Sequence, residues 1–476
     1  MTTPDSTAGN GDNNNGFSAL ALSPQMLANL TQLGYTQMTP IQAAALPPAL
    51  LGKDLIAQAK TGSGKTAAFA LALLSNLNPR RFAVQALVLC PTRELADQVT
   101  TEIRRLARAE ENIKVVTLCG GVALRGQVAS LEHGAHIVVG TPGRIMDHLE
   151  RENLDLEALN TLVLDEADRM LDMGFFDDIV KVARQCPSAR QTLLFSATYP
   201  EGIAKLAQQF MKSPEQIAVQ SQHEGSKIRQ RWYEVADNER LHAVSLLLDH
   251  FRPVSTLAFC NTKQQCRDLV DVLRAQGFSA LALFGELEQR ERDQVLVQFA
   301  NRSCSVLVAT DVAARGLDIA HLEAVINVDV TPDAEVHIHR VGRTGRVGQQ
   351  GASEGLALNL ASMDEMGSVG KIEQLQGRES EWHPLAELTP GKGAPLQPPM
   401  ATLQIVGGRK EKIRAGDVLG ALTGECGYAK EQVGKINVNE FSTYVAVDRA
   451  IAADAVRKLS AGRVKGKSVK VRLLEQ

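Results

Sequence analysis

The sequence predicts an α/β protein with two successive domains built on parallel sheets, followed by a small α+β domain. The chain has 476 residues, which is too many for a single hydrophobic core. Between about residues 50 and 200, short apolar runs alternate with helix-patterned stretches. Near-continuous apolar runs of this kind are typical of parallel strands buried on both faces. The same pattern starts again after residue 228.

The predicted elements follow one another in a regular order. The strands of the first domain are DLIAQA, VQALVLC, IKVVTLC, AHIVVGT, NTLVLDE and QTLLFSAT, and those of the second are STLAFCN, ALALFG, CSVLVAT, EAVINVDV and GLALNL. The Pro/Gly-rich stretch LTPGKGAPLQPPM is predicted to be a semi-stiff linker. After it, strands are predicted at ATLQIVGG, STYVAVD and SVKVRLL, with helices at RAGDVLGALTGE and RAIAADAVRKLS between them. We predict a disordered leader (1–16), two α/β domains (17–220 and 228–385), a linker (386–399) and an α+β domain (400–476).

Charge is distributed unevenly along the chain, although the formal net charge is only −3. Residues 400–476 contain 14 Lys and Arg against 8 Asp and Glu, a net charge of +6. The remainder contains 37 basic and 46 acidic residues, a net charge of −9. A basic C-terminal segment indicates a polyanionic partner, and an ordinary solvated surface explains an excess of this size equally well.

Several features predict a cytoplasmic protein without membrane contact. The sequence has no run of eighteen apolar residues, and its polar N-terminus lacks the basic start and apolar segment of a secretory signal. The seven cysteines form no CxxC pair and most lie in apolar runs, so we expect free thiols rather than a zinc site. Nothing in the sequence requires more than a monomer.

The segment AQAKTGSGKTAAF is predicted to bind the phosphates of ATP. A strand ends at Ala59, Gly62 and Gly64 bend the chain, and a helix begins at Lys65, so backbone N–H groups face one point. Lys65 would reach the β- and γ-phosphates, and Thr66 would bind Mg²⁺ through its hydroxyl. The other expected phosphate-loop residues are Lys60, Thr61 and Ser63. Ala59 stands where the GxxxxGK[ST] pattern has glycine, and the alternative is a glycine-rich turn before an ordinary helix.

Three carboxylates follow an apolar run in the segment LVLDEADRMLDMGF. Asp165 ends a predicted central strand at the edge where the phosphate loop lies, so we expect it to hold Mg²⁺, through water. Glu166 is expected to orient and deprotonate an attacking water. Asp168 is expected to tie this element to the SAT segment, residues 196–198. The alternative is that these carboxylates cap a helix, since acidic residues are favoured in the first turn of a helix. This alternative also applies in part.

Together, these and other motifs resemble those of the DEAD-box RNA helicases. The motifs are, in order, GYTQMTPIQ, AKTGSGKT, PTRELA, GG, TPGR, DEAD, SAT, FCNTK, ATDVAARGLD and HRVGRTGR, and the resemblance covers about residues 17–359. The resemblance implies two RecA-like domains with ATP between them and local, ATP-driven unwinding of short RNA duplexes. It also implies residue roles: Phe17 and Gln42 for adenine, Asp318 for ribose, and Arg343 and Arg346 as arginine fingers, with His339 and Arg340 in the same motif. Since these arginines and the phosphate loop belong to different domains, hydrolysis would require the domains to close.

A second set of residues is predicted to contact an RNA backbone. PTRELA and TPGR each place Thr and Pro at a helix start, where free N–H groups and a nearby arginine attract phosphates. The residues are Thr92, Arg93, Thr141 and Arg144, with Gly121 allowing close approach, and the resemblance adds Thr262, Arg290 and Thr310. Contacts of this kind carry no base specificity. The alternative is that the threonines are only N-caps.

The strand order of the C-terminal domain resembles an RRM, but most stacking aromatics are absent. Only Tyr444 remains, and Gln404 stands where an aromatic residue is expected. We therefore expect a structured RNA to be held through two basic clusters: Arg409, Lys410, Lys412 and Arg414, and Arg463, Lys465, Lys467 and Lys470. GRKEKIRAGDVLGALTGE and GRVKGKSVKVRLL resemble the bacterial DbpA subfamily. That resemblance implies ATPase activity triggered by a 23S rRNA hairpin and a role on pre-50S particles, whereas the alternative is a generic basic RNA-binding module.

Two other functional classes remain open at this point. A DNA helicase of the same superfamily would share most motifs, although the DEAD tetrapeptide and the adenine motif favour RNA. A non-enzymatic assembly factor could use ATP only as a clamp, but intact Lys65, Glu166 and Arg346 favour hydrolysis.

Overall fold

The computed structural model describes residues 16–59, 62–110, 112–199, 201–219, 228–314, 322–345, 355–389 and 393–474. These residues divide into two compact units. The first unit ends and the second begins within residues 220–228, the predicted junction between the two α/β domains. The first unit holds a seven-stranded parallel sheet, and the second holds another seven-stranded parallel sheet and a four-stranded antiparallel sheet. The predicted fold class of two tandem α/β domains and a small α+β domain is therefore confirmed. No helix among the described residues is long and apolar enough to cross a membrane.

In the first domain, the strand order is β3-β4-β2-β5-β6-β1-β7. The strands are β1 (Leu55–Gln58), β2 (Ala86–Leu89), β3 (Val115–Leu118), β4 (Ile137–Gly140), β5 (Thr161–Leu164), β6 (Gln191–Ser196) and β7 (Glu215–Ala218). The helices are α1 (Pro24–Gln32), α2 (Pro40–Leu50), α3 (Lys65–Ser75), α4 (Arg93–Leu106), α5 (Leu124–Glu132), α6 (Pro142–Glu150), α7 (Ala167–Asp172), α8 (Phe176–Gln185) and α9 (Glu201–Phe210).

Burial on both faces explains why the strands are continuously apolar. Val163 of β5 enters a core with α3 and α4, whereas its neighbours Leu162 and Leu164 enter a second core with α6, α8 and α9. Every position of such a strand is therefore inside, and no polar alternation is needed. The six predicted strands of this domain are confirmed. The edge strand β7, which is mostly exposed, was not predicted.

In the second domain, the strand order is β10-β11-β9-β12-β13-β8-β14. The strands are β8 (Ile228–Glu234), β9 (Thr256–Phe259), β10 (Ala280–Leu283), β11 (Val306–Ala309), β12 (Ala324–Asn327), β13 (Gly355–Ala361) and β14 (Trp382–His383). The helices are α10 (Arg240–Phe251), α11 (Lys263–Ala275), α12 (Gln289–Ala300), α13 (Asp311–Ala314), α14 (Ala334–Val341) and α15 (Met366–Gln376).

The C-terminal domain has the antiparallel strand order β16-β17-β15-β18. Its strands are β15 (Met400–Val406), β16 (Val433–Val438), β17 (Ser442–Asp448) and β18 (Lys470–Leu473). Its helices are α16 (Ala415–Gly420), which a π-helical turn (Ala421–Glu425) extends, and α17 (Ala452–Ala461). Both helices cover one face of the sheet, where Leu403 and Val445 pack against Val418 and Leu459. Strand β16 was not predicted, because its residues are only partly buried.

The described part of the Pro/Gly-rich segment lies along the second domain. Arg252 donates to the carbonyl of Ala394 at 3.1 Å, and the Gln397 amide donates to the carbonyl of Gly277 at 2.9 Å. The C-terminal domain belongs to the same compact unit as the second α/β domain. The segment predicted as a linker is thus attached to the domain that precedes it.

Candidate nucleotide and RNA sites

The phosphate loop, the DEAD segment and the candidate RNA residues of the first domain lie after the carboxyl ends of its parallel strands. The phosphate loop follows β1 and Asp165 follows β5, with only β6 between those strands. Thr92, Gly121 and Thr141 follow β2, β3 and β4, which are neighbours in the sheet. Ligands of open α/β sheets bind outside the carboxyl ends of the strands. The candidate RNA residues therefore lie at one part of this edge, after β3, β4 and β2. The candidate ATP residues lie at another part, after β5 and β1.

The phosphate loop is held in shape by two glycines and by Gln42. Gly62 and Gly64 have φ of +82° and +94°, and α3 begins at the next residue, Lys65. A Cβ on Gly64 would lie 2.6 Å from the amide nitrogen of Gln42. That amide donates to the carbonyl of Gly64 at 3.1 Å, and its oxygen accepts from the backbone N–H of Thr39 at 2.9 Å. Lys60 and Thr61 lie outside the described residues, and Ala59 is buried at the end of β1.

Several buried polar atoms at this edge have no hydrogen-bond partner among the described residues. They include the ammonium of Lys65, the hydroxyls of Ser63 and Ser196 and one carboxylate oxygen of Asp165. Burial raises the pKa of Asp165 to about 6; Glu166 acts in the same direction and Lys65 opposes it. Unpaired buried charges cost free energy, so these residues suit a ligand that brings both negative and positive charge. A nucleotide phosphate with a divalent cation has that composition, and Thr66, partly exposed at the start of α3, adds a hydroxyl.

The two other carboxylates of the DEAD segment already have protein partners. Glu166 is 3% exposed, and its carboxylate accepts from Arg169 at 2.7 Å. Its backbone has φ of 52°, a left-handed conformation that is uncommon outside glycine. One oxygen of Asp168 accepts from the N–H of Ala197 at 3.1 Å, and from the N–H and hydroxyl of Thr198 at 3.0 Å each. The predicted tie between the DEAD and SAT segments is confirmed.

The two residues predicted to recognise adenine are buried. Phe17 is 4% exposed, and its ring lies edge-on to Tyr35 with centroids 6.1 Å apart. Gln42 is 2% exposed and is engaged with the phosphate loop. Their contact with adenine stays a prediction. Asp318, predicted to hold the ribose, lies outside the described residues.

The candidate RNA residues of the first domain also have local structural tasks. The hydroxyl of Thr92 accepts from the N–H of Leu95 at 3.3 Å and so caps α4, whereas Thr141 precedes α6 without such a bond. Arg144 donates to the carbonyl of Val122 at 3.1 Å. It therefore supports the loop in which Gly121 has φ of +74°. Arg93 lies at the start of α4, 3.7 Å from the carboxylate of Asp97.

The second domain repeats this arrangement. Thr262 follows β9 and Thr310 follows β11, while Arg290 lies exposed on α12, the helix after β10. Strands β10, β11 and β9 are neighbours, so the three residues share one part of the sheet edge. The Thr262 hydroxyl caps α11 by accepting from the N–H of Gln265 at 3.2 Å.

The arginine-rich motif contains one clearly structural side chain. Arg340 is 2% exposed and donates to both carboxylate oxygens of Asp311, at 2.7 and 2.6 Å, and to the carbonyl of Asp329 at 2.8 Å. His339 is partly buried in the last turn of α14, and Arg343, just beyond the helix, is 5% exposed. Arg346 lies outside the described residues.

In the C-terminal domain, the two predicted basic clusters meet as one surface. The ammonium of Lys467 donates to the carbonyl of Glu411 at 3.4 Å, and that of Lys465 donates to the carbonyl of Lys412. The loop at 463–467 is thereby attached to the loop at 407–414. We call the combined surface the basic patch; it comprises Arg409, Lys410, Lys412, Arg414, Arg463, Lys465 and Lys467. Lys470, the remaining residue of the second predicted cluster, begins β18 and is not included.

Three family models match the chain: DEAD/DEAH box helicase over residues 39–206, helicase conserved C-terminal domain over 238–348 and DbpA RNA binding domain over 402–473. The ATP-dependent RNA helicase DbpA of Escherichia coli is 51% identical over 96% of this chain and 99% of its own length. The chain belongs to the DEAD-box RNA helicases.

The helicase is also similar to more distant members of the family. The DEAD-box ATP-dependent RNA helicase CshA of Geobacillus kaustophilus is 41% identical over 77% of each chain. A solved structure of a Dbp5 variant from S. cerevisiae with a Leu-to-Val substitution, bound to RNA and ADP BeF3, superposes with a TM-score of 0.70 at 29% identity. That match covers 79% of this helicase and 97% of the Dbp5 chain. The use of ATP and the binding of RNA are therefore properties of the family to which this helicase belongs.

Sequence reasoning missed two features of these sites. It did not foresee that the Gln42 side chain holds the phosphate loop, although the Thr-x-x-Gln spacing at 39–42 is a capping-box pattern. It also missed Phe441, an exposed aromatic residue whose ring centroid lies 4.1 Å from the ammonium of Lys410. The sequence feature that could have indicated an exposed aromatic residue was a phenylalanine directly after the polar turn Asn439–Glu440.

Proposed function

We propose that this helicase is an RNA-dependent ATPase that locally unwinds structured RNA, and that its C-terminal domain directs it to a 23S rRNA hairpin during large-subunit assembly. Under this proposal the helicase acts as a monomer on pre-50S particles in the cytoplasm. The proposed domains are 17–220, 228–385 and 400–476. The match to the DbpA RNA binding domain supports the choice of RNA, and the basic patch supports a polyanionic ligand.

The observation that carries the ATPase part is the buried pair of unpartnered groups, the Lys65 ammonium and a carboxylate oxygen of Asp165. Lys65 would bind the β- and γ-phosphates beside the backbone N–H groups of the phosphate loop. Thr66 and Asp165 would hold Mg²⁺, which neutralises charge on the phosphate oxygens when it is bound.

The remaining residues would serve the chemical step. Glu166 would orient the attacking water and accept its proton, with Arg169 fixing the carboxylate from one side. Arg343 and Arg346, with His339 in the same motif, would stabilise the charge that develops on the transferred phosphoryl oxygens. Because Arg340 is committed to Asp311, we assign it no chemical role.

Phosphate release by a Lys65→Ala variant tests the ATPase part. Without the ammonium, we expect turnover under saturating RNA to fall at least about a hundredfold and nucleotide affinity to fall with it. Lys53→Ala is the matched control, because Lys53 is an exposed lysine paired with Glu215 in the same domain. Turnover in the Lys65 variant equal to that of the parent would exclude the assigned role.

Phosphate release measured across a panel of nucleic acids tests the targeting part. The panel contains fragments of 23S rRNA, random RNA of equal length and the corresponding DNA. We expect one rRNA hairpin to stimulate turnover well above random RNA, and DNA to stimulate it least. Equal stimulation by all RNAs would contradict rRNA targeting, and equal stimulation by DNA would favour the DNA helicase alternative.

A further inference from the structure

The sheet face that single-stranded RNA commonly uses in RRM domains is closed at its centre. Tyr444 is 3% exposed, and its hydroxyl accepts from the amide of Gln404 at 3.2 Å. On the same face, the Thr402 hydroxyl lies 3.2 Å from the amide nitrogen of Asn301 and 2.6 Å from the hydroxyl of Ser303. Both partners belong to the second α/β domain, after α12. The centre of the sheet therefore offers no open aromatic face in the described part of the chain.

One aromatic residue of the described C-terminal domain is nevertheless exposed, beside the basic patch. Phe441 lies between β16 and β17 and is 59% exposed. The Lys410 ammonium lies 4.1 Å from the ring centroid and 3.2 Å from the carboxylate of Glu440. At the same end of the sheet, Val406 pairs with Ser442 and is 56% exposed. A ring and an aliphatic side chain thus adjoin a strongly cationic surface.

Backbone hydrogen bonds fix the Phe441 turn against the basic loop. The N–H groups of Gly407, Arg409 and Lys410 donate to the carbonyls of Phe441, Asn439 and Glu440 at 3.0, 2.9 and 3.1 Å. A Cβ on Gly408 would lie 2.2 Å from the carbonyl oxygen of Asn439, so the two loops can approach this closely only because residue 408 is glycine. The backbone segments that carry the ring and the cations are therefore held together without a ligand, which lowers the entropy lost on binding.

We propose that Phe441 is a stacking platform for one unpaired nucleobase of a structured RNA, with the basic patch binding the phosphates on either side. This inference rests on the proposed function of the C-terminal domain and specifies how it recognises a hairpin. Every base has a π-face that can stack on an aromatic ring, and Lys and Arg attract the adjoining phosphates. A protein partner is the weaker alternative, because the centres of protein interfaces are depleted of lysine.

Phe441→Ala in the full-length helicase tests this proposal without added nucleotide. The probes are a fluorescein-labelled RNA hairpin with a single-stranded loop and a blunt RNA duplex with the same stem. We expect the variant to bind the hairpin about ten- to a hundredfold more weakly than the parent, from the loss of one stacked base. Affinity for the duplex and the dependence of binding on salt should stay unchanged, because no phosphate contact is removed.

Three further variants complete the experiment. Phe441→Trp should retain hairpin affinity, and Phe441→Leu, which keeps an apolar side chain at the turn, should bind as weakly as Phe441→Ala. Phe82→Ala is the matched control, because Phe82 is 64% exposed in the first domain. Thermal unfolding of each variant verifies that the C-terminal domain is folded.

The outcomes separate this inference from the proposed function. Parent-like binding of the hairpin by Phe441→Ala and Phe441→Leu overturns the stacking platform, as does equal weakening for hairpin and duplex. The preference of the parent for 23S rRNA fragments over random RNA is a separate measurement. If the parent showed no such preference, rRNA targeting would be contradicted. The comparison of hairpin with duplex binding would still decide whether Phe441 is a stacking platform.

Discussion

Arg340 and Arg346 lie in one motif, but we expect their substitutions to be detected by different assays. Arg340 is buried and donates to Asp311, to the carbonyl of Asp329 and to Asn261. Removing one partner of a buried ion pair leaves the other without compensation, which typically costs about 3–5 kcal/mol. Arg340→Ala should therefore lower the free energy of unfolding of the second domain by about that amount, measured by urea denaturation. Arg290→Ala, an exposed control, should unfold like the parent, and an equally stable Arg340→Ala would refute the structural role.

Arg346→Ala is expected to affect turnover. A guanidinium that stabilises the transferred phosphoryl group acts mainly in the transition state, so ATP binding should stay nearly intact. By analogy with other arginine fingers, we expect phosphate release under saturating RNA to fall at least about a hundredfold. Nucleotide binding and RNA-stimulated turnover, measured on the same preparation, decide the question. Unchanged turnover would remove Arg346 from the mechanism.

At the scale of elements, Asp168 links helix α7 to the loop after β6. Asp168→Ala would remove the acceptor of three backbone N–H groups and one hydroxyl, so we expect the first domain to lose about 1–3 kcal/mol of stability. Urea denaturation measures this loss. Asp177→Ala, at an exposed position in the first turn of α8, is the control and should have the smaller effect. If both variants were equally stable, the link would have no energetic importance.

Helix α17 carries a pH-dependent contact. Asp454 accepts from the Tyr428 hydroxyl at 2.6 Å and lies 3.0 Å from the Lys458 ammonium. The hydrogen bond from Tyr428, followed by those from Arg457 and Lys458, lowers the pKa of Asp454. In the unfolded chain an aspartate titrates near about 3.9. The stabilisation is therefore complete above that value and is lost as the pH falls through the lower pKa of the folded state.

Because the pKa of Asp454 is lowered in the folded state, we expect a pH-dependent difference in stability between Asp454→Asn and the parent. The variant should melt at a lower temperature than the parent near pH 7, because the charged acceptor is missing. The difference should have its full size near pH 7 and be smaller at about pH 3, because below about 3.9 the unfolded chain takes up a proton that the folded parent still excludes. Melting of the C-terminal domain at both pH values measures it. A difference that stays constant with pH would assign the effect to something other than the carboxylate charge.

At the scale of the whole molecule, specificity is expected to reside in residues 400–476. Contacts to an RNA backbone carry no base sequence, so the two α/β domains alone should not discriminate between RNAs. Deleting residues 400–476 should abolish the preference for ribosomal RNA and leave a residual, unselective ATPase. Phosphate release on 23S rRNA fragments and on random RNA measures this. If the truncated helicase still discriminated between these RNAs, specificity would have to reside in the two α/β domains.

The order of motifs and of buried strands was predictable because both are local patterns in the sequence. Strand β5 is buried at every position and apolar from Leu162 to Leu164, because both of its faces are inside, whereas exposed β7 and partly buried β16 lack that signal. The structural role of Arg340, in contrast to the chemical role expected of Arg343 and Arg346, was not predictable. It depends on Asp311, which lies 29 residues earlier in the sequence and meets Arg340 only in the folded domain. The attachment of residues 394–397 to the second domain is long-range in the same way.

The hydrogen bonds that Thr402 makes with Asn301 and Ser303 join the last two domains through amide and hydroxyl groups. Water satisfies such groups as readily as a protein neighbour does. Separation of the two domains at these contacts would expose amide and hydroxyl groups to water. The two domains can therefore separate at these contacts at little cost in free energy, because water takes the place of each lost partner.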